Sequence, residues 1–274
     1  MNSDLEINAD LACHILGRFI REEVLKVGAK GVVVALSGGI DSALALVLAV
    51  QGLGADSALA VCMPYRHSHS SSLADAKLVA DKVGVALLVE DISGQIDAYF
   101  GSRPTEDLIR RGNKLARERM SIAYDISQER SALVLGTSNK SEMLLGYGTI
   151  FGDMAYAINP LGDLYKTQVY QLARHLRLPE AVITKPPSAD LFAGQLDEVD
   201  LGFSYREADQ VLFYLVDQRR QEEEVIGLGY SPDLVRAVMD RMRRSQLKRR
   251  PPLIAKLSAR TIETDFRYPR DWGY

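Results

Sequence analysis

The sequence predicts an α/β protein, a doubly wound and mostly parallel sheet flanked by helices, followed by a helical C-terminal part. Three observations carry that prediction. Apolar runs such as residues 31–36 (GVVVAL) lack polar alternation, which marks strands buried on both faces. Segments of helical period separate these runs, as expected of parallel strands joined by crossover helices. The glycine- and serine-rich polar strings follow strands, at the carboxyl ends where such sheets bind ligands.

The elements read in order as follows. Residues 9–27 form an amphipathic helix that leads into a first strand at 31–36. Residues 42–53 (SALALVLAVQGL) read as a helix and 58–63 (ALAVCM) as a second strand, which runs into a polar loop at 64–72. Residues 72–83 place Leu73, Ala76, Val79 and Ala80 on one helical face. A third strand at 86–90 (ALLVE), a long helix at 107–129 and a fourth strand at 132–135 (ALVL) follow. Past Pro160 the pattern is mostly helical. Residues 186–202 have no periodicity and carry four acids, so a mobile loop is expected there.

Composition narrows the class. The chain has 274 residues, 47% hydrophobic and 25% charged, with a net charge of -3, which argues against a surface built to bind nucleic acid. Cys13 and Cys62 are the only cysteines, so neither a disulfide framework nor a thiolate zinc site is expected. Asp4, Glu6 and Asp10 precede any apolar stretch, and no run reaches the roughly 18 apolar residues of a membrane span. A cytoplasmic protein with no membrane association is the expectation.

The string Ser37-Gly38-Gly39-Ile40-Asp41-Ser42 joins the first strand to a helix N-terminus. Glycines let backbone approach an anion, and the helix dipole and first N–H groups favour negative charge. Asp41 is out of place beside phosphate unless a cation lies between them, which points to Mg²⁺. The lysine of a Walker A loop is absent. A second string, Gly136-Thr137-Ser138-Asn139-Lys140-Ser141-Glu142, follows the fourth strand. Thr137 can hydrogen-bond a nucleotide there, and Glu142 can share the metal ion with Asp41. A plainer reading makes Asn139 and Ser141 helix caps and Glu142 a first-turn charge.

The first string resembles the SGGxDS loop of the ATP pyrophosphatases. Four more segments resemble the NAD⁺ synthetase family: Arg111-Gly112-Asn113 with residues 116–120 (ARERM); residues 146–160 (GYGTIFGDMAYAINP); residues 185–191 (KPPSADL) with Gln195, Asp197 and Glu198; and residues 248–252 (KRRPP). The resemblance implies ATP-dependent amidation of deamido-NAD⁺ through an acyl-adenylate, releasing AMP and pyrophosphate. By the same resemblance Ser37, Gly38, Gly39, Ile40, Asp41 and Ser42 hold the pyrophosphate end of ATP. Met63, Arg66, Thr137, Lys166 and Ser188 map onto ATP contacts, with Asp41 and Lys166 as the catalytic pair. Arg117, Asp153 and Lys248 map onto deamido-NAD⁺ contacts, and Asp41 and Glu142 onto Mg²⁺ ligands. A homodimer is implied as well.

The family implies one domain over 1–274: an N-terminal helix (1–30), a nucleotide-binding core (31–160) and a mostly helical part (161–274). Only 36 residues precede Ser37, so no glutaminase domain is expected, and free ammonia or a separate ammonia-supplying protein should provide nitrogen. Three positions depart from the pattern. Many ammonia-using members carry Lys, Asp and His where this chain has Ile150, Ala157 and Leu247. Six cations crowd residues 241–250 without interleaved aromatics, which speaks against an RNA groove. Two alternatives share the first loop: another ATP pyrophosphatase, of the tRNA-thiolation or GMP-synthetase type, and a regulatory nucleotide-binding protein without catalysis.

Overall fold

Four short strands, β1 (Val32–Ala35), β2 (Ala58–Cys62), β3 (Leu87–Val89) and β4 (Leu133–Leu135), form one parallel sheet in the order β3-β2-β1-β4. The computed structural model describes residues 3–66, 70–192, 194–250, 252–262 and 265–266. Val33 registers with Leu59 on one side and Val134 on the other. The expected strands are all present, trimmed at their ends, and the four expected helices begin and end within two residues of their sequence positions.

Continuous apolar strands serve two cores at once. Val32, Val34, Ala58, Ala60 and Cys62 pack with α1 (Ala9–Lys26), α2 (Ile40–Leu53) and α3 (Ser70–Val83). Val33 and Val61 face the other way, toward α4 (Ser93–Ser102) and α5 (Leu108–Arg130), through Ile96, Phe100, Leu115 and Ile126. Helix α4 is hard to see in the sequence: SGQIDAYFGS carries two glycines, and its buried apolar residues are only Ile96 and Phe100.

The later helices build a third cluster. Leu145 of α6 (Lys140–Leu145) packs with residues of α10 (Tyr205–Leu212), α11 (Glu222–Gly227) and α12 (Pro232–Arg244). Helices α7 (Lys166–His175) and α8 (Glu180–Ile183) close the first core instead, and α9 (Asp197–Leu201) lies within the 186–202 segment. No described helix is long and apolar enough to cross a membrane.

Strand order sets the site. From β1 the chain moves outward to β2 and β3, then returns to add β4 on the opposite side of β1. The sheet reverses direction between β1 and β4, where a doubly wound sheet opens its ligand crevice. The loops that follow these two strands are the two glycine- and serine-rich strings.

Helices α1 and α2 touch through glycines. A Cβ on Gly52 would lie 2.2 Å from the Gly17 carbonyl oxygen, so α1 would have to move. Gly52→Ala should cost about 1–3 kcal/mol, the usual scale of overpacking, and lower the thermal midpoint by several degrees. Gly101→Ala in α4 meets nothing within 4 Å and should leave the midpoint level or slightly raised. Equal midpoints for the two variants in a thermal melt would show that the glycine crossing is not tight.

Candidate active site

The loop after β1 is built as an anion cradle. Gly38 has φ +79°, and a Cβ there would lie 2.3 Å from the Ser72 carbonyl oxygen, so glycine is required on both counts. Gly39 is the N-cap of α2, and no side chain caps the first turn. Its leading N–H groups and positive dipole end thus point into the crevice. The two serines brace the turn: Ser42 Oγ accepts from Ser37 N (3.2 Å) and donates to the Gly39 carbonyl (3.0 Å), while Ser37 Oγ accepts from Gly39 N (3.3 Å).

Asp41, Glu142 and Lys166 come from three different elements and meet. Lys166 Nζ donates to Asp41 Oδ2 (2.5 Å) and to Glu142 Oε1 (3.1 Å). Asn139, fully buried, donates from Nδ2 to Asp41 Oδ1 (2.8 Å) and caps α6, accepting from Glu142 N (3.0 Å). Glu142 reaches back to the Asn139 N–H (3.2 Å). The capping reading of Asn139 and the ligand reading of Glu142 are therefore compatible. Burial, and next the Asp41 carboxylate, push the Glu142 carboxyl up to about 8. Burial opposes charge on Lys166, but Asp41 and Glu142 outweigh it and hold the ammonium above its usual range. Two carboxyl groups face one ammonium, a donor set that can take a further cation.

A polar network beneath the triad escaped the sequence reading. Ser141 Oγ accepts from Lys166 N (2.8 Å) and donates to Asp209 Oδ1 (2.5 Å), while Asp209 Oδ2 accepts from Thr167 N (2.8 Å). Asp209 is 0% exposed. Burial pushes its carboxyl up to about 6, against the hydrogen bonds from Ser141 and Thr167. One signal was available: Asp209 shares the apolar face of α10 with Tyr205, Ala208 and Leu212, where an acid needs a partner.

Beside the cradle, a cavity of about 240 Å³ opens at the ends of β1 and β2. Ser37, Met63, Tyr65, Ser72, Arg119 and Asp190 are among its lining residues. Arg119 donates from Nε to the Met63 carbonyl (3.0 Å), and Ser72 donates to Asp190 Oδ2 (2.9 Å). Met63 lines the cavity. Arg66 pairs instead with Asp97 and does not line it. Ser188 is exposed and accepts from Asp190 N (3.0 Å), next to a cavity residue. Thr137 is half-buried at the end of β4. His67 and His69 lie outside the described residues.

The three residues assigned to the second substrate gather on the 146–153 loop. Arg117, exposed on α5, donates from Nε and Nη2 to the Ile150 carbonyl (3.3 Å each). Asp153 accepts from Thr149 N (2.7 Å). Lys248 donates to the carbonyls of Gly146 (2.8 Å) and Gly148 (2.7 Å). Arg249 donates to carbonyls of Met143 (3.4 Å) and Leu144 (2.7 Å) at the end of α6, so part of the basic cluster serves as a helix C-cap. Gly112 backs onto Leu191, and Asn113 Oδ1 accepts from Thr149 Oγ1 (2.7 Å), so the RGN string fastens α5 to both loops. Ala157 spends its N–H on the Val134 carbonyl (2.9 Å), continuing the sheet edge.

The family model NAD synthase matches residues 13–252. The chain is 52% identical over 271 residues to an NH(3)-dependent NAD(+) synthetase of Trichlorobacter lovleyi, with 99% of each chain covered. Two solved structures are similar over 91% of the chain. An NH3-dependent NAD synthetase from Campylobacter jejuni has TM-score 0.78, 35% identity and 100% of its own chain covered. An NMN synthetase from Francisella tularensis has TM-score 0.82, 30% identity and 99% covered.

The raised Asp209 carboxyl gives a signed pH dependence. A carboxyl whose pKa rises on folding contributes stability below its unfolded pKa, near 4, and loses it as pH passes 6. The stability difference between the parent and Asp209→Asn should therefore shift by on the order of 3 kcal/mol, against the parent, from pH 4 to 7. Urea unfolding across that range measures it; a flat difference would mean that Asp209 titrates normally.

Proposed function

The chain belongs to the NAD synthase family, and we propose that it amidates deamido-NAD⁺ with ammonia and ATP, yielding NAD⁺, AMP and pyrophosphate. The observation that carries this reading is the convergence of the β1 loop, the β4 loop and Lys166 on one point at the switch of the sheet. Mutual coverage of 99% with a relative named NH(3)-dependent supports ammonia as the nitrogen donor.

The chemistry needs a carboxylate made reactive, because hydroxide is too poor a leaving group for ammonia to displace. The nicotinate carboxylate attacks the α-phosphorus of ATP, expelling pyrophosphate, and ammonia then displaces AMP from the acyl-adenylate. Residues 37–42 cradle the pyrophosphate end through backbone N–H groups and the two serine hydroxyls. The cavity beside Met63, Arg119 and Asp190 receives the nucleoside, with Thr137 and Ser188 at its margins. Lys166 supplies positive charge where phosphate oxygens become more negative, a preorganised electrostatic contribution. Arg117, Asp153 and Lys248 flank the deamido-NAD⁺ side.

Mg²⁺ fits the donor set. Asp41 and Glu142 each direct an oxygen to the point held by the Lys166 ammonium, which places two carboxyl oxygens from two elements around one spot. Two carboxylates plus phosphate oxygens are the usual magnesium ligands beside ATP. When bound, the ion neutralises the triphosphate and the departing pyrophosphate. A cytoplasmic homodimer completes the reading; Ile109 (75% exposed) and Phe151 (55%) offer apolar surface to a second copy.

The assay is NAD⁺ formation from deamido-NAD⁺, Mg²⁺–ATP and ammonium chloride, with AMP and pyrophosphate quantified. One AMP per NAD⁺ is expected, and no NAD⁺ when glutamine replaces ammonium. Faster amidation of nicotinate mononucleotide would reassign the substrate. Asp41→Asn should abolish turnover and, by leaving the buried Lys166 ammonium with Glu142 alone, lower the thermal midpoint as well. Glu142→Gln should cost about ten- to a hundredfold, the scale of disturbed metal sites. Normal turnover in either variant removes that residue from the metal site.

A further inference from the structure

The active-site region holds a buried carboxylate that the reading above does not use. Asp197 opens α9 and is 4% exposed. Its Oδ1 is buried without a hydrogen-bond partner, and its Oδ2 accepts a long contact from the Tyr205 hydroxyl (3.4 Å), with the Tyr147 hydroxyl also close. Lys166, the neighbouring cation, is already committed to Asp41 and Glu142. Burying a carboxylate unpaired is costly unless something compensates it, and a mobile cation is a direct remedy.

The surroundings select a kind of cation. Tyr205 presents its ring to Lys166 Nζ at 5.3 Å, so this wall of the site accepts an ammonium face-on. Tyr147 gives its hydroxyl proton to Asp200 (2.8 Å), and Gln195 donates to that same phenol oxygen (3.2 Å) and to Asp200 (3.0 Å), which fixes the ring beside Asp197. A carboxylate oxygen with aromatic neighbours suits a small monovalent ammonium ion. It suits Mg²⁺ poorly, since that ion requires near-octahedral oxygen ligation. We propose that Asp197, with Tyr205 and Tyr147, forms the subsite that takes ammonium from solution and holds it next to the Lys166–Glu142 pair. This rests on the reading of the chain as an ammonia-using NAD⁺ synthetase.

The subsite separates the two half-reactions. Adenylation can be followed alone as deamido-NAD⁺-dependent ATP–pyrophosphate exchange, which needs no ammonia. Asp197→Asn should keep exchange within about twofold of the parent while the KM for ammonium chloride rises tenfold or more and that for ATP stays level. Binding is read separately as a thermal shift: ammonium chloride should raise the parent's midpoint above that in sodium chloride of equal ionic strength, and Asp197→Asn should abolish the difference. The variant removes an unpaired charge and should fold. Normal exchange with an unchanged ammonium KM overturns the proposal. So does loss of exchange, or a shift in the Mg²⁺ requirement instead, since either makes Asp197 part of adenylation. Absence of exchange in the parent refutes the synthetase reading itself and is told apart by that control.

Discussion

Burial of the Lys166 ammonium is the constraint on which the rest of the site depends. At 2% exposure the charge cannot be hydrated, so it must be met by fixed anions. Those anions come from the first turn of α2, through Asp41, and the first turn of α6, through Glu142. One hydrogen-bonded cluster therefore ties the β1 and β4 crossings together over the crevice where the sheet reverses. An ion pair of this depth adds little net stability, because desolvation offsets most of its attraction. What it contributes is geometry: three elements hold their charged groups in one place before a substrate arrives.

The same logic extends one layer down. Ser141 stands between Lys166 N and Asp209, and Asp209 also takes the N–H of Thr167. Helix α10 belongs to the third apolar cluster, away from the sheet. Packing of α10 against α6 and α12 is thereby coupled to where the Lys166 backbone sits. Arg249 and Lys248 add a second tether, fixing the end of α6 and the turn beyond it through carbonyls of residues 143–148. The basic cluster thus works in part as internal glue for the helical part, which is a different use of charge from a nucleic-acid surface.

The fold was largely legible in the sequence because a sheet buried on both faces leaves uninterrupted apolar runs, and those runs stand where β1 to β4 lie. The first loop string was legible because glycine at φ +79° and an uncapped helix start restrict residue choice locally, and the second because its Asn139–Glu142 capping box is local too. Long-range pairing was not. Asp209 looks like any acid on a helix until the fold turns its face inward against Ser141, 68 residues away. Arg66 has the same character as Arg119 in sequence. In space, Arg119 reaches the Met63 carbonyl and Arg66 turns to Asp97. Side-chain direction at the end of a strand is decided by neighbours that are remote in the chain.

The 186–202 segment shows why a stretch without periodicity need not be without structure. Its hydrogen bonds run to both halves of the site. Toward the cavity, Asp190 accepts from Ser72, and Lys185 just before the segment donates to Asp75 (2.8 Å). Toward the helical part, Gln195 donates to Tyr147 and Asp200, and Glu198 accepts from Tyr205 N (2.8 Å). Leu191 packs on the core beneath α4 and α5 and Leu201 belongs to the helical cluster, so polar and apolar contacts together hold the segment. A strap fastened in this way joins the residues that line the cavity at one end to the residues around Asp197 at the other.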